Sequence, residues 1–397
     1  MRIRVRTGDS LWYYSQLFAL PLQLVLDSNH SIIESNLQVG QEIKIPGFRK
    51  FTYTIKKGDT FWGVATKRNI AVDAIQLLNP DVDPNTLQIG QEIFVPSRIT
   101  EPIVNSKREY DSALMYKDLD ELTDIYPFVR YQSIGKSVLG SDIQEIQIGN
   151  GPKHVHINGS FHANEWITTA IIMKFVNQFL LSLTNMTSLQ GFTTNPFYQE
   201  VTLSIVPMVN PDGVDLVLNG PPTRAPFKSD VVEINNGSLD FSNWKANIRG
   251  VDLNNQYPAK WEIEKERKEP KAPAPRDYPG DAPLTEPEAI AMAELTRQRD
   301  FARVVAFHTQ GEEFYWGYEN LEPAYSEVIA NEFERVSGYK SVQVIDSHAG
   351  YKDWFIQEWQ RPGFTIELGE GVNPLPLTQF DEIYEESLGI FLASMYM

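Results

Sequence analysis

Four residues of this 397-residue sequence have types and positions that could do chemistry together. His162 and Glu165 stand three apart in "GSFHANEW", directly after the alternating run "HVHINGS". Taken alone they could be polar residues opening an ordinary helix. The run before them reads as a strand, however, and strand ends are where ligand sites form in open α/β sheets. His308 in "VVAFHTQ" and Glu367 in "FTIELGE" each close another apolar, strand-like run. A carboxylate at such an end is costly unless it has a partner or a task. A catalytic zinc takes three protein ligands of nitrogen and oxygen type and keeps one position for water. His162, Glu165 and His308 supply that donor set. Of the other histidines, His30 and His348 have no such setting, and His154 and His156 alternate in one strand. Two His alone make a poor zinc site.

The elements that must position these residues follow from periodicity. "IQEIQIG", "HVHING" and "VTLSIVPMVNPDG" are strand-like, and "ARVVAFHTQ" and "GFTIELGEG" suit buried strands of a mixed sheet. "DSALMYKDLDELTDIYP" and "WITTAIIMKFVNQFLLSL" have helical spacing. "TEPEAIAMAELTRQR" opens with a capping box, Thr285 to Glu288, and continues as a helix. Strands alternating with helices predict an α/β domain over 108–397, with a mixed sheet of about eight strands between helices. The charged, Pro-rich stretch from Lys260 to Leu284 is expected to stay outside the core as a functional loop.

The N-terminal hundred residues repeat themselves. A shift of 50 aligns "TGDSLW" with "KGDTFW", "LQVGQEIKIP" with "LQIGQEIFVP", and Asn29 with Asn79. Such a period means duplicated small modules. Each reads as a βααβ unit whose Ser or Thr after "GD" caps the first helix. The predicted boundaries are 1–47 and 51–97 for the repeats, 98–107 for a short linker and 108–397 for the large domain. Gly8-Asp9, Trp12, Asn29 and "VGQEIKIP", with their counterparts Gly58-Asp59, Trp62, Asn79 and "IGQEIFVP", resemble the LysM family. That resemblance implies binding of N-acetylglucosamine-containing glycan such as peptidoglycan or chitin.

Composition narrows the partners. The formal net charge is -17, which argues against nucleic acid as a partner, because phosphates are bound by clustered Lys and Arg. It also disfavours anionic membrane surfaces. There is no Cys, so disulfides, thiol catalysis and Cys-ligated metals are excluded. No apolar run was expected to approach the ~20 residues of a membrane span. "MRIRVRTGDSLWYYSQ" reads as a first strand and not as a signal peptide.

The large domain resembles the zinc carboxypeptidase family over ~108–397. "IGKSVLGSDIQEIQIG", "HANEW", "NPDG", "RGVDLN", "FHT" and "FTIELGE" carry the resemblance. It implies Zn²⁺ on His162, Glu165 and His308, with Glu367 as general base. It also implies a cation at the developing oxyanion, a role open to Lys245 or Arg249 in "NWKANIRG".

One departure bears on specificity. The family's carboxypeptidases read "GVDxNRN", in which Asn and Arg grip the substrate's terminal carboxylate. Here the run is "GVDLNNQYP", so Asn254 is kept and Asn255 replaces the Arg. A neutral amide lacks the charged fork that suits a carboxylate. Together with the repeats, this is similar to the bacterial γ-D-glutamyl-L-diamino acid endopeptidases. That likeness implies cleavage of the peptidoglycan stem between γ-D-Glu and meso-diaminopimelate or Lys. The substrate-binding set expected is Asn254, Asn255, Arg276 of "APRDYPG", and Tyr351. Competing readings are a conventional metallocarboxypeptidase tethered to glycan and an inert glycan-binding protein. Residence in the cytoplasm, or association with spore or cell wall, is the expected location.

Overall fold

The computed structural model describes residues 1–32 and 37–397. The chain divides into two compact units. One comprises 1–103, 118–130 and 177–195, and the other comprises 104–117, 131–176 and 196–397.

The first unit contains both repeats, each a βααβ module. Strand Arg2–Arg4, helices Leu11–Leu17 and Leu22–Asp27, and strand Glu42–Lys44 form the first. Phe48–Thr54, Phe61–Lys67, Val72–Leu78 and Glu92–Arg98 form the second. Ser10 and Thr60 cap the first helix of each, accepting from the amides of Tyr13 and Gly63. The repeated Asn has a structural task. Asn29 Nδ2 donates to the carbonyls of Val25 and Lys44 while its Oδ1 accepts from Lys44 N, and Asn79 does the same with Ile75 and Phe94. It thus ties the second helix to the last strand. Trp12 and Trp62, by contrast, are 58% and 68% exposed, so neither is core. The repeats are joined by a two-pronged ion pair, Arg6 Nη1 and Nη2 to Asp73 at 2.8 and 2.6 Å. Ala74 and Leu77 of the second repeat also belong to the apolar core of the first.

The second unit is built on an eight-stranded mixed sheet. In chain order its strands are β1 (Arg130–Lys136), β2 (Asp142–Ile148), β3 (Lys153–Gly159), β4 (Val201–Val206), β5 (Phe301–Thr309), β6 (Glu313–Tyr315), β7 (Lys340–Val342) and β8 (Gly363–Leu368). Their spatial order is β7-β6-β8-β5-β3-β4-β2-β1. The four central strands β8, β5, β3 and β4 run parallel. They are buried almost throughout, as expected where helices cover both faces. On one side Phe391 of helix Phe380–Tyr396 stacks on Phe175 and Phe307, with centroids 4.4 and 4.6 Å away.

Three expectations need correction. No capping box forms at Thr285. Helix Pro287–Gln298 has Glu286 as its N-cap, Thr285 Oγ1 bonds Gln256, and Glu288 is buried beside Asn247. With proline at the first helical position, the cap lies at Glu286, one residue past the apparent signal. The stretch 260–284 is also not wholly outside the core. It contains helix Trp261–Arg267, and Trp261, Glu264 and Tyr278 are buried. Backbone bonds staple it down: Lys245 N and Ala246 N donate to Pro275 O, and Asp252 N to Tyr278 O. Finally, the helical stretch Ala163–Asn185 is long and apolar enough to cross a membrane, but 89% of its apolar window is buried within the protein. That is the pattern of an interior helix.

Candidate metal centre and active site

β3 ends at Gly159, and the chain then turns sharply through Ser160 at φ 49°. Ser160 N donates to Thr168 Oγ1, and Asn210 N to Ser160 O, which fixes the turn. His162 follows as the N-cap of a short 3₁₀ turn, Ala163–Glu165, which leads into helix Ile167–Asn185. His308 and Glu367 come from neighbouring parallel strands, β5 and β8, and are direct register partners. Period-2 geometry therefore puts both side chains on the same face of the sheet. All four residues lie at or just beyond the C-terminal ends of central strands.

His162 Nδ1 lies 2.9 Å from Glu165 Oε1, His308 Nδ1 lies 3.0 Å from Glu165 Oε2, and the two Nδ1 atoms are 3.1 Å apart. A tetrahedral ion with bonds of about 2.0–2.1 Å needs donor atoms roughly 3.3 Å apart, close to this triangle. A cation set among the two imidazole nitrogens and the carboxylate would meet the lone pairs of all three. His162, Glu165 and His308 are 6%, 4% and 1% exposed, so bulk water does not solvate them. With protons as the only cations, the electrostatics point the same way. Burial alone would lower His162, but the Glu165 and Asp252 carboxylates outweigh it and raise it to about 9. Burial would raise Glu165, yet the two imidazoles hold it at about 2. The donor set therefore fits zinc.

Asp252 was not singled out in the sequence, although it lies inside "RGVDLN". It is fully buried and accepts from His162 Nε2 at 3.2 Å and from Asn254 N at 3.0 Å. A carboxylate behind a ligating imidazole fixes its tautomer and orientation. Lys245 Nζ pairs with Asp252 at 3.0 Å and with Asp277 at 3.2 Å. Asn373 was also missed. Its Nδ2 donates to Thr309 O at 3.0 Å and reaches Glu165 Oε1 at 3.4 Å. No periodicity or motif marked it.

The remaining expected residues separate. Lys245 joins the His162–Asp252 pair, whereas Arg249 is half exposed and pairs with Glu286 at 3.4 Å. Arg276 is exposed and pairs with Asp277, the carboxylate that also holds Lys245. Asn254 Oδ1 accepts from Tyr351 N, and Asn255 Nδ2 donates to Asn254 O. Tyr351 is a correction. It is 0% exposed, its hydroxyl bonds Thr296 Oγ1 at 2.8 Å, and it packs among Phe161, Tyr257 and Trp354. It is a core residue. Burial pushes Glu367 up to about 8, helped by repulsion from Glu165 and opposed by His162 and Lys245.

A buried His–Glu–His donor set at strand ends, with a carboxylate in register beside it, defines a zinc peptidase site. The sequence pattern of the zinc carboxypeptidase family matches residues 115–388, and that of the LysM domain matches 3–46 and 53–96. The chain belongs to the zinc carboxypeptidase family. It is 57% identical to gamma-D-glutamyl-L-diamino acid endopeptidase 1 of Lysinibacillus sphaericus over 397 residues, which is 100% of both chains. It is 46% identical over 303 residues to the uncharacterized protein YqgT of Bacillus subtilis strain 168, covering 75% of this chain and 80% of that one. Among solved structures, carboxypeptidase A from Helicoverpa armigera superposes with a TM-score of 0.55 at 17% identity, over 73% of this chain and 74% of that one. This last likeness speaks to the fold alone.

Proposed function

We propose that this chain is a zinc-dependent γ-D-glutamyl-L-diamino acid endopeptidase that cuts the peptidoglycan stem on the carbonyl side of meso-diaminopimelate or Lys. The observation that carries the chemistry is the buried triangle of His162, Glu165 and His308 with Glu367 in register beside it. The identity with the Lysinibacillus endopeptidase over its full length supports the substrate. His162, Glu165 and His308 hold the zinc. When bound, zinc supplies a Lewis acid for the scissile carbonyl and makes a water more acidic. Glu367 accepts a proton from the attacking water and delivers it to the leaving amine. The water oxygen bonds to the γ-carbonyl carbon, the C–N bond breaks, and a carboxylic acid and an amine result. Asp252 holds His162 in its ligating orientation. Lys245 is the cation for the developing oxyanion, and its link to Asp252 favours it over Arg249. Arg276, on the stapled loop, is a rim cation for a stem carboxylate.

The repeats, bounded at 1–47 and 51–97 and followed by a linker at 98–107, hold the enzyme on N-acetylglucosamine-containing glycan. The exposed Trp12 and Trp62 support this, because aromatic side chains on a surface module are suited to partners. The catalytic domain spans 108–397. Its setting is wall material, including that of the forming spore. A substrate panel tests the reading. L-Ala-γ-D-Glu-meso-diaminopimelate should be cut far faster than ordinary L-peptides with free or blocked C-termini. Efficient trimming of ordinary free C-termini would return the chain to the conventional carboxypeptidases.

A further inference from the structure

The position where the family's carboxypeptidases carry Arg does more here than lose a charge. Asn255 is 7% exposed and sits in the 3₁₀ turn Leu253–Asn255. That turn is capped by Asp252, whose Oδ1 is shared between Asn254 N and His162 Nε2. Asn255 is thus three residues from the carboxylate that orients a metal ligand. The orientation of its amide is fixed by its neighbour. The atom 3.1 Å from the carbonyl of Asn254 must be the donor Nδ2, because a backbone carbonyl only accepts. Oδ1 is therefore turned away from that carbonyl. It is buried and has no partner among the described residues. A buried acceptor left unmet is expensive, so a ligand group that donates is the natural complement. The family's Arg offers donors to a carboxylate, whereas this residue offers a lone acceptor.

The acidic balance of the domain favours a cationic donor. Residues 104–397 carry 42 Asp and Glu against 24 Lys and Arg. Asn254, the preceding residue, has its Oδ1 fixed on Tyr351 N, so Nδ2 is the end of that amide turned away from this bond. A donor and an acceptor on consecutive residues match the two groups of a carbon bearing both a carboxylate and an ammonium.

We infer that Asn255 Oδ1 is the specificity contact for the side-chain ammonium of the diamino acid, with Asn254 Nδ2 donating to the carboxylate on the same carbon. This rests on the proposed stem-peptide activity and names the groups that read its substrate. It explains how loss of the Arg can gain a substrate as well as exclude others.

The test compares two soluble substrates with the zinc-loaded full chain. L-Ala-γ-D-Glu-meso-diaminopimelate and its 2-aminopimelate analogue differ only in the distal ammonium. The unmodified protein should prefer the first by roughly 10- to 100-fold in kcat/KM, the range expected for one buried acceptor left unpaired. Asn255→Leu should lose that preference by slowing on the diamino substrate alone. Asn255→Asp, which keeps the acceptor, should retain it. Cleavage of both substrates within about twofold by the unmodified protein would overturn the inference and leave the peptidase reading standing. So would an unchanged preference in Asn255→Leu. If neither substrate were cut while ordinary L-peptides were, the peptidase reading itself would fall. The comparison within the unmodified protein holds even if the Leu variant folds poorly.

Discussion

At the scale of single residues, Glu367 has a proton-transfer task and not a ligand task in the proposed mechanism. Glu367→Gln should keep full zinc content by mass spectrometry and lose about 10²–10⁴ in turnover, the usual worth of a general base. Near-normal hydrolysis by that variant would remove Glu367 from the role. Asp252 acts one shell further out. Asp252→Ala should weaken zinc binding about 10- to 100-fold in competition with a chelator, since carboxylates behind ligating imidazoles carry that much affinity. Unchanged affinity would make Asp252 merely a partner for Lys245. The four residues that the structure brings together stood out in sequence because two close strand-like apolar runs and two follow one. Asp252 was not legible, because one sequence gives no way to tell which member of "RGVDLN" turns inward. The core position of Tyr351 was not legible either, because it rests on the packing of Phe161, Tyr257 and Trp354, which come from distant parts of the chain.

At the scale of elements, the register of β5 against β8 brings His308 beside Glu367. Parallel pairing across a crossover is a long-range outcome that periodicity does not encode. The repeats were far more legible. Their caps, their βααβ order and the paired Asn29 and Asn79 are local features, and each appears as read. Helix Pro287–Gln298 shows where local signals lose. Its apparent capping residue Glu288 is instead buried and bonded to Val138 N and Asn247 Nδ2. Burial pushes its carboxyl up to about 7. An unfolded Glu releases its proton near pH 4.3, so between there and about 7 the unfolded chain binds fewer protons. Stability must then fall as pH rises through that window, by on the order of 3 kcal/mol at most for this group. Glu288→Gln should therefore gain melting temperature relative to the unmodified chain at pH 8, and gain less or nothing at pH 5. An equal difference at both pH values would mean that Glu288 does not carry this titration.

At the scale of the whole molecule, two kinds of recognition share one chain. Glycan binding and peptide cleavage should be separable by mutation. Trp12→Ala with Trp62→Ala should abolish retention on insoluble peptidoglycan while leaving cleavage of a soluble stem peptide within about twofold. Two modules on one polymer gain avidity only when both engage, so either single change should already lose much of the retention. Undiminished retention by the double variant would place the glycan contact elsewhere. Which bond is broken is read from the identity of the products. The zinc-loaded chain is incubated with L-Ala-γ-D-Glu-meso-diaminopimelyl-D-Ala and the products are read by mass spectrometry. The expected products are L-Ala-D-Glu and meso-diaminopimelyl-D-Ala, from cleavage at the γ-D-Glu carbonyl. Release of the terminal D-Ala with the γ-D-Glu bond intact would contradict it.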